Sequence, residues 1–403
     1  MRVLHVIPSV SSAHGGPSRA MALMERALCP LGVDVEVATT DDDGPRRRLP
    51  PASVIAAHAK LSGRQGDTSA YHVFSKQTEF YKISPGLGSW LMRHARNYDV
   101  VHIHALFSYS SWAAARAACK AGVPYIVRPL GTLNRYGVER RRPWLKQASL
   151  RWVEGPYLRR AAAVHFTAKA EQEEAEILGI PMRSVVLPLA VEAESAPDSA
   201  ALLTQFPELA GKRIVLFLSR LDPKKNMEAL LKAMVAISME FPDVILAAVG
   251  DGSADYVVKL KQLADQQGLA GRVLWTGHLS GTLKASILSA AEVFVLPSFS
   301  ENFGIAAAEA LLNGLPCVLS RGIAIAAQVE AAGAGLAIEP TPDSTVVALR
   351  HYLSDGNARA AAGTAAKKLA ESHFSLRAMG EGLQGLYQDV ICNHRQELSK
   401  SLL

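Results

Sequence analysis

Short apolar runs of strand length, each followed by a stretch with helical periodicity, recur along this chain twice over. In the first half the strand runs fall at 3–7, 33–38, 100–103, 125–127 and 164–167, with helical patterns at 17–31, 111–120 and 171–178. In the second half strand runs at 213–218, 244–249, 273–275, 293–296, 316–319 and 335–338 alternate with helical patterns at 227–240, 255–267 and 283–291. Near-continuous apolar strands separated by helices predict parallel sheets covered on both faces. The chain has 403 residues, too many for one ordinary core and enough for two α/β domains. A linker around 190–207 breaks the series, and a last helical pattern at 376–395 has no strand after it. The reading is therefore two Rossmann-like, doubly wound α/β domains, 1–192 and 208–375, followed by a C-terminal helix in 376–403. Ligands of such folds bind outside the carboxyl ends of the strands, here in a central cleft that the two domains face.

Bulk composition excludes several classes. Hydrophobic residues make up 49% and charged residues 20%, an ordinary globular balance. Cys29, Cys119, Cys317 and Cys392 are scattered without a C-x-x-C pair, which argues against a zinc ribbon or disulfide scaffold and fits a reducing cytoplasm. The first residues enter a strand at once, and the apolar run is too short for a signal segment. No apolar span has the length of a membrane helix. A net charge of +6 permits nucleotides, anionic lipids or nucleic acid as partners, but no nucleic-acid motif accompanies it.

Four segments carry candidate chemistry. Ser298-Phe299-Ser300-Glu301-Asn302-Phe303-Gly304-Ile305 leads from a strand into a helix that contains Glu309. Amides at a helix start suit anions, and carboxylates accept from sugar hydroxyls; a surface turn with a capping Glu301 and a solvated Glu309 is the competing reading. The loop around Gly15 and Gly16 lets the backbone approach a ligand, though it lacks the spacing of a dinucleotide or Walker loop. Arg220 and Lys225 follow the first strand of the second half, where they can grip phosphate or be merely solvated. Val101-His102-Ile103-His104 ends a strand with both imidazoles on one side; His102 reads as a core residue, and His104 lies nearer the ligand edge. A metal reading lacks a third ligand at suitable spacing, so no metal is expected. Asp41-Asp42-Asp43 reads as a solvated loop beside Arg46-Arg47-Arg48, and 40–66 as a loop at the domain edge.

Glu301-Asn302-Phe303-Gly304-Ile305 with Glu309 resembles the E-x7-E signature of family 4 retaining glycosyltransferases (glycosyl transferases group 1), which have the GT-B fold. The Gly15-Gly16 loop, Arg220-Leu221 with Lys225, and Val101-His102-Ile103-His104 are similar to further motifs of that family. Arg128-Pro129-Leu130-Gly131 resembles its Arg-Gly-x-Leu loop. The resemblance implies transfer of a sugar from a nucleoside diphosphate sugar to a hydroxyl acceptor, a glycan or lipid-linked saccharide of surface or exopolysaccharide assembly, without cofactor or metal. It implies catalytic roles for His104, Glu301, Arg220 and Lys225. Donor contacts fall to Gly15, Gly16, Asn302, Phe303, Gly304, Ile305 and Glu309, with Arg128 and Gly131 on the acceptor side. It also implies that the last helix crosses back to the first domain. One departure is Val186-Leu187-Pro188-Leu189-Ala190-Val191, where members commonly carry Asn-Gly after the proline. Between 135 and 160 many basic residues accompany Trp144, Trp152 and Tyr157, which suits either peripheral contact with an anionic membrane at its inner face or packing between domains. A nucleotide-sugar epimerase and a non-catalytic nucleotide-sugar-binding module are the alternatives; the first would turn over donor without an acceptor.

Overall fold

The computed structural model describes residues 1–64, 68–133, 143–193 and 195–401. Its contacts divide the chain into two units: Met1–Ala190 with the chain from Leu376 onward, and Val191–Ser375. The first unit holds strands β1 (Arg2–Val6), β2 (Asp34–Thr40), β3 (Tyr71–Phe74), β4 (Val100–His104), β5 (Tyr125–Arg128), β6 (Ala163–Phe166) and β7 (Ser184–Val186). They form one parallel sheet in the order β3-β2-β1-β4-β5-β6-β7. The second unit holds β8 (Arg213–Leu218), β9 (Val244–Val249), β10 (Val273–Gly277), β11 (Ala291–Leu296), β12 (Cys317–Ser320) and β13 (Gly335–Ile338), parallel in the order β10-β9-β8-β11-β12-β13. The two α/β Rossmann-like sheets expected from the alternation are thus present.

Helices cover both faces, and the central strands are buried along their length. β4 is buried at all five positions and β9 at all six. The order reverses between β1 and β4 in one unit and between β8 and β11 in the other, so each unit has one switch point where loops diverge and leave a crevice. The last helix, Leu376–Ser401, packs on Gly16–Leu28 of the first unit. Gly380 makes this approach possible, because a Cβ there would stand 2.5 Å from the Ala27 carbonyl oxygen. Gln384 Nε2 donates to Leu31 O at 3.0 Å nearby.

Two expectations fail. The segment 40–66 is not simply a loop, because Pro51–Ser62 is a helix; Pro at its first turn starts it, and Gly63 ends it at φ +73°. Residues 65–67 lie outside the described residues. The short edge strands β3 and β7 escape the pattern because four and three residues carry too little periodicity.

Candidate active site

At the β8/β11 switch point two loops meet. Arg220 follows β8 and is exposed. Asp222 accepts from the Lys224 amide at 2.9 Å, which shapes the short turn Pro223–Lys225. Asn226, left-handed at φ +58°, locks the turn by donating to Pro297 O at 3.2 Å and Pro340 O at 3.0 Å. The opposing loop is stitched on by the Phe299 amide, which donates to Lys224 O at 2.9 Å. The outcome is an ion pair between the Lys225 ammonium and the Glu301 carboxylate. Burial, then the neighbouring Lys224 and Arg220 charges, pulls the Lys225 pKa down from its ordinary 10.5 to about 8. The Asp222 carboxylate works against that pull.

Glu301 is held through its backbone. Its amide donates to Gly322 O at 2.9 Å, and its carbonyl accepts from the Ala324 amide at 3.1 Å. Gly304, at φ +93°, turns the chain into helix Ile305–Leu312. A side chain there would be strained, and a Cβ would lie 2.9 Å from Ile323 Cγ2. Asn302 is exposed, whereas Phe303 is buried edge-on against Phe374 with centroids 5.5 Å apart. Phe303 therefore anchors the loop, and its backbone alone is available to a ligand. Glu309 is not a solvated helix residue: it is buried, and Lys284 Nζ lies 2.8 Å from its Oε1. Both border a cavity of about 70 Å³ with Ser195, Pro197 and Gly281. Lys284, absent from the sequence reading, sits in helix Gly281–Ala290 and gave no motif of its own.

In the first unit the glycine loop follows β1. Gly15, at φ +64°, precedes helix Gly16–Leu28, whose first turn carries Pro17. The loop is fastened by Asp41-Asp42-Asp43, and the solvated reading of those acids is wrong. Asp41 and Asp42 are buried. Lys76 Nζ lies 2.6 Å from Asp42 Oδ1, Lys82 also contacts that carboxylate, and His14 Nε2 stands 3.0 Å from Oδ2. Burial alone would raise the Asp42 pKa, but the hydrogen bonds from His14, Lys76 and Lys82 hold it far below the carboxylate range. Ser9 Oγ donates to Asp42 O at 2.6 Å, and Ser11 Oγ donates to Asp43. The acids follow strand β2 directly, so they stand at the ligand edge of the sheet. That position was the available signal.

The ends of β4 and β5 place His104 beside Arg128, its register partner. Both are buried, at 0% and 3% exposure, and His104 Nδ1 and Arg128 Nε and Nη1 find no partner among the described residues. Burial lowers the Arg128 pKa to about 10, with Glu171 opposing. The Gly131 amide donates to Glu171 Oε1 at 2.8 Å, and Thr167 donates to Oε2, so Glu171 sets this loop. His102 is a core imidazole: its Nδ1 is hydrogen-bonded to Tyr387 Oη at 2.9 Å. His5, His102 and His104 bring ring nitrogens within 4.8 Å of one another, a third histidine that sequence spacing did not reveal. Those nitrogens are already bonded to one another, to Tyr387 or to His165, except His104 Nδ1.

Comparison with known proteins matches the halves separately. Residues 15–190 match the glycosyl transferase 4-like domain, and residues 202–369 match glycosyl transferases group 1. The chain is 28% identical over 248 residues to alpha-D-kanosaminyltransferase of Streptomyces kanamyceticus, covering 60% of this chain and 64% of that protein. It is 37% identical over 140 residues to phosphatidyl-myo-inositol mannosyltransferase of Mycolicibacterium smegmatis, 34% of each chain. The chain thus spans under two thirds of the length of these relatives. Among solved structures, Anabaena Alr3699/HepE in complex with UDP and glucose matches with TM-score 0.74 at 20% identity, over 96% of this chain and 100% of that one. Sucrose-phosphate synthase from Thermosynechococcus elongatus matches with TM-score 0.73 at 20% identity, over 98% and 100%. With both sheets in Rossmann-like order and both halves matched, the chain belongs to the GT4-like glycosyltransferases of GT-B fold.

Proposed function

We propose that this chain is a retaining glycosyltransferase that moves a sugar from a nucleoside diphosphate sugar to a hydroxyl of a glycan or lipid-linked saccharide, with no metal or cofactor. The observation that carries the reading is the Lys225–Glu301 pair beside Arg220, at the start of the helix that holds Glu309. When the anomeric C–O bond breaks, negative charge collects on the departing diphosphate. Lys225 and Arg220 supply fixed positive charge there, and the helix-start amides after Gly304 add donors. Glu301 accepts from hydroxyls of the donor sugar, and Glu309 from the ribose. The acceptor oxygen then bonds the anomeric carbon on the face the diphosphate leaves, and its proton passes to the leaving phosphate oxygen. Uridine, guanosine and adenosine diphosphate sugars are the donors to screen. Support for peripheral contact with an anionic membrane comes from exposed Trp152 and Ile177, which line one hollow with Arg151 and Arg159, and from Trp144, exposed in the same segment. Among the described residues no helix is long and apolar enough to cross a membrane. Residues 134–142 of the basic region lie outside those described.

The test is transfer to a saccharide acceptor from each donor, in excess chelator, with the product anomer read by NMR. Lys225→Ala is expected to lose about 100-fold or more in kcat, the scale of one lost electrostatic stabiliser. Loss of activity in chelator restored by a divalent ion overturns the metal-free part. Inversion overturns the retaining part, and epimerised donor without acceptor overturns transfer itself.

A further inference from the structure

We infer that Leu187 O, His165, His102, Tyr387, His5 and His104 form one polarised hydrogen-bonded chain that leaves His104 Nδ1 as a bare acceptor for a substrate hydroxyl. The substrate half of this statement rests on the transfer reading above; the chain itself does not. All six groups belong to the first unit. His5 and His102 are register partners on β1 and β4, His104 lies two residues further on the same face, and Tyr387 reaches them edge-on from the last helix. All five side chains are fully buried.

The polarity is set at one end. A carbonyl only accepts, so at 2.9 Å His165 Nε2 must be the donor to Leu187 O. A neutral His165 then has a bare Nδ1, which accepts from His102 Nε2 at 3.4 Å. That leaves His102 Nδ1 bare to accept from Tyr387 Oη at 2.9 Å. The Tyr387 oxygen accepts from His5 Nε2 at 3.3 Å, and His5 Nδ1 accepts from His104 Nε2 at 2.8 Å. Every proton is then used, and the last nitrogen, His104 Nδ1, carries a lone pair with no donor among the described residues. Reversing the run from His102 onward would set two lone pairs against each other at the His165–His102 contact. It would also leave a buried N–H unpaired at His104.

The neutral state that this scheme needs is favoured by the surroundings. Burial, then the Arg128 charge, lowers the His165 pKa to about 3, and burial with Arg128 and His165 does the same for His5. Burial also holds His102 and His104 well below the ordinary value. A lone pair at the chain's free end repels phosphate oxygens and takes a hydroxyl. Tyr387, distant in sequence, is on this account a positioning residue: it sets the tautomer of His104 without touching substrate.

The experiment is long-range proton–nitrogen NMR on the full chain labelled in histidine, paired with steady-state transfer. In wild type, His104 should show a protonated Nε2 and a bare Nδ1. Tyr387→Phe removes one hydroxyl, so His5 and His104 should populate both tautomers. Its kcat should fall roughly tenfold at unchanged donor KM, the scale for losing an outer partner of a functional imidazole. Should that variant fold poorly, His165→Gln cuts the anchor and should also mix the tautomers. A protonated His104 Nδ1 in wild type, or a single unchanged tautomer in both variants, overturns the chain. So does one retained equivalent of zinc that shifts the His5, His102 and His104 signals. Mixed tautomers with unchanged kcat overturn the substrate half alone. A wild type inactive with every donor overturns the transfer reading and with it that half, while the NMR result still decides the chain.

Discussion

Lowering the pH from 8 to 5 should destabilise the first unit far more than the second. His5, His102, His104 and His165 are fully buried there, while His278, His351 and His373 of the second unit are exposed. A histidine whose folded pKa is depressed takes up its proton only on unfolding. Its stabilising effect is therefore complete above the unfolded pKa, near 6.5, and is lost as pH falls from there toward the folded value. For His5 and His165 that folded value is about 3. At pH 5, about 1.5 units below the unfolded pKa, each costs about 2 kcal/mol at 1.36 kcal/mol per unit. The two together remove about 4 kcal/mol, and His102 and His104 act in the same direction; domains commonly have only about 5–15 kcal/mol to lose. Asp42 and Glu36, whose pKa values are depressed, start from 3.8 and 4.5 and act mainly below this window. Urea titrations between pH 8 and 5, followed by tryptophan fluorescence, read mostly the first unit, which holds four of the five tryptophans. His165→Gln should recover about 2 kcal/mol of the acid loss. A first-unit midpoint that stays flat from pH 8 to 5 refutes the reasoning.

Glu309→Ala should weaken nucleoside diphosphate binding by about 1–3 kcal/mol in calorimetry, since it removes a charged acceptor; unchanged affinity would refute a ribose contact for Glu309. For free enzyme and donor, kcat/KM should decline as pH rises through 8, where Lys225 loses its proton, and a Lys225→Arg variant should not show that limb. Gly304→Ala should cost about 1–3 kcal/mol in urea denaturation, because alanine is strained at φ +93°; equal stability would mean that the loop relaxes freely.

The alternation of apolar runs with helical stretches was enough to read two parallel α/β sheets, because strands buried on both faces must be apolar throughout and their crossovers need helices. It also set Arg220, Lys225 and Glu301 in loops after β8 and β11, since strand ends can be located from composition. Period-two alternation likewise puts His102 and His104 on one side of β4. What such patterns omit is the partner across the packing. Tertiary structure alone brought Tyr387 onto His102, Lys284 onto Glu309, and Lys76 and Lys82 onto Asp42. Sequence spacing carries no distance between residues on different elements, so the charge of Asp42 read as solvated until its cations were seen. A run of residues states which side of an element is apolar; only the folded chain decides which polar groups share the space on that side, and therefore which stay neutral, paired or free.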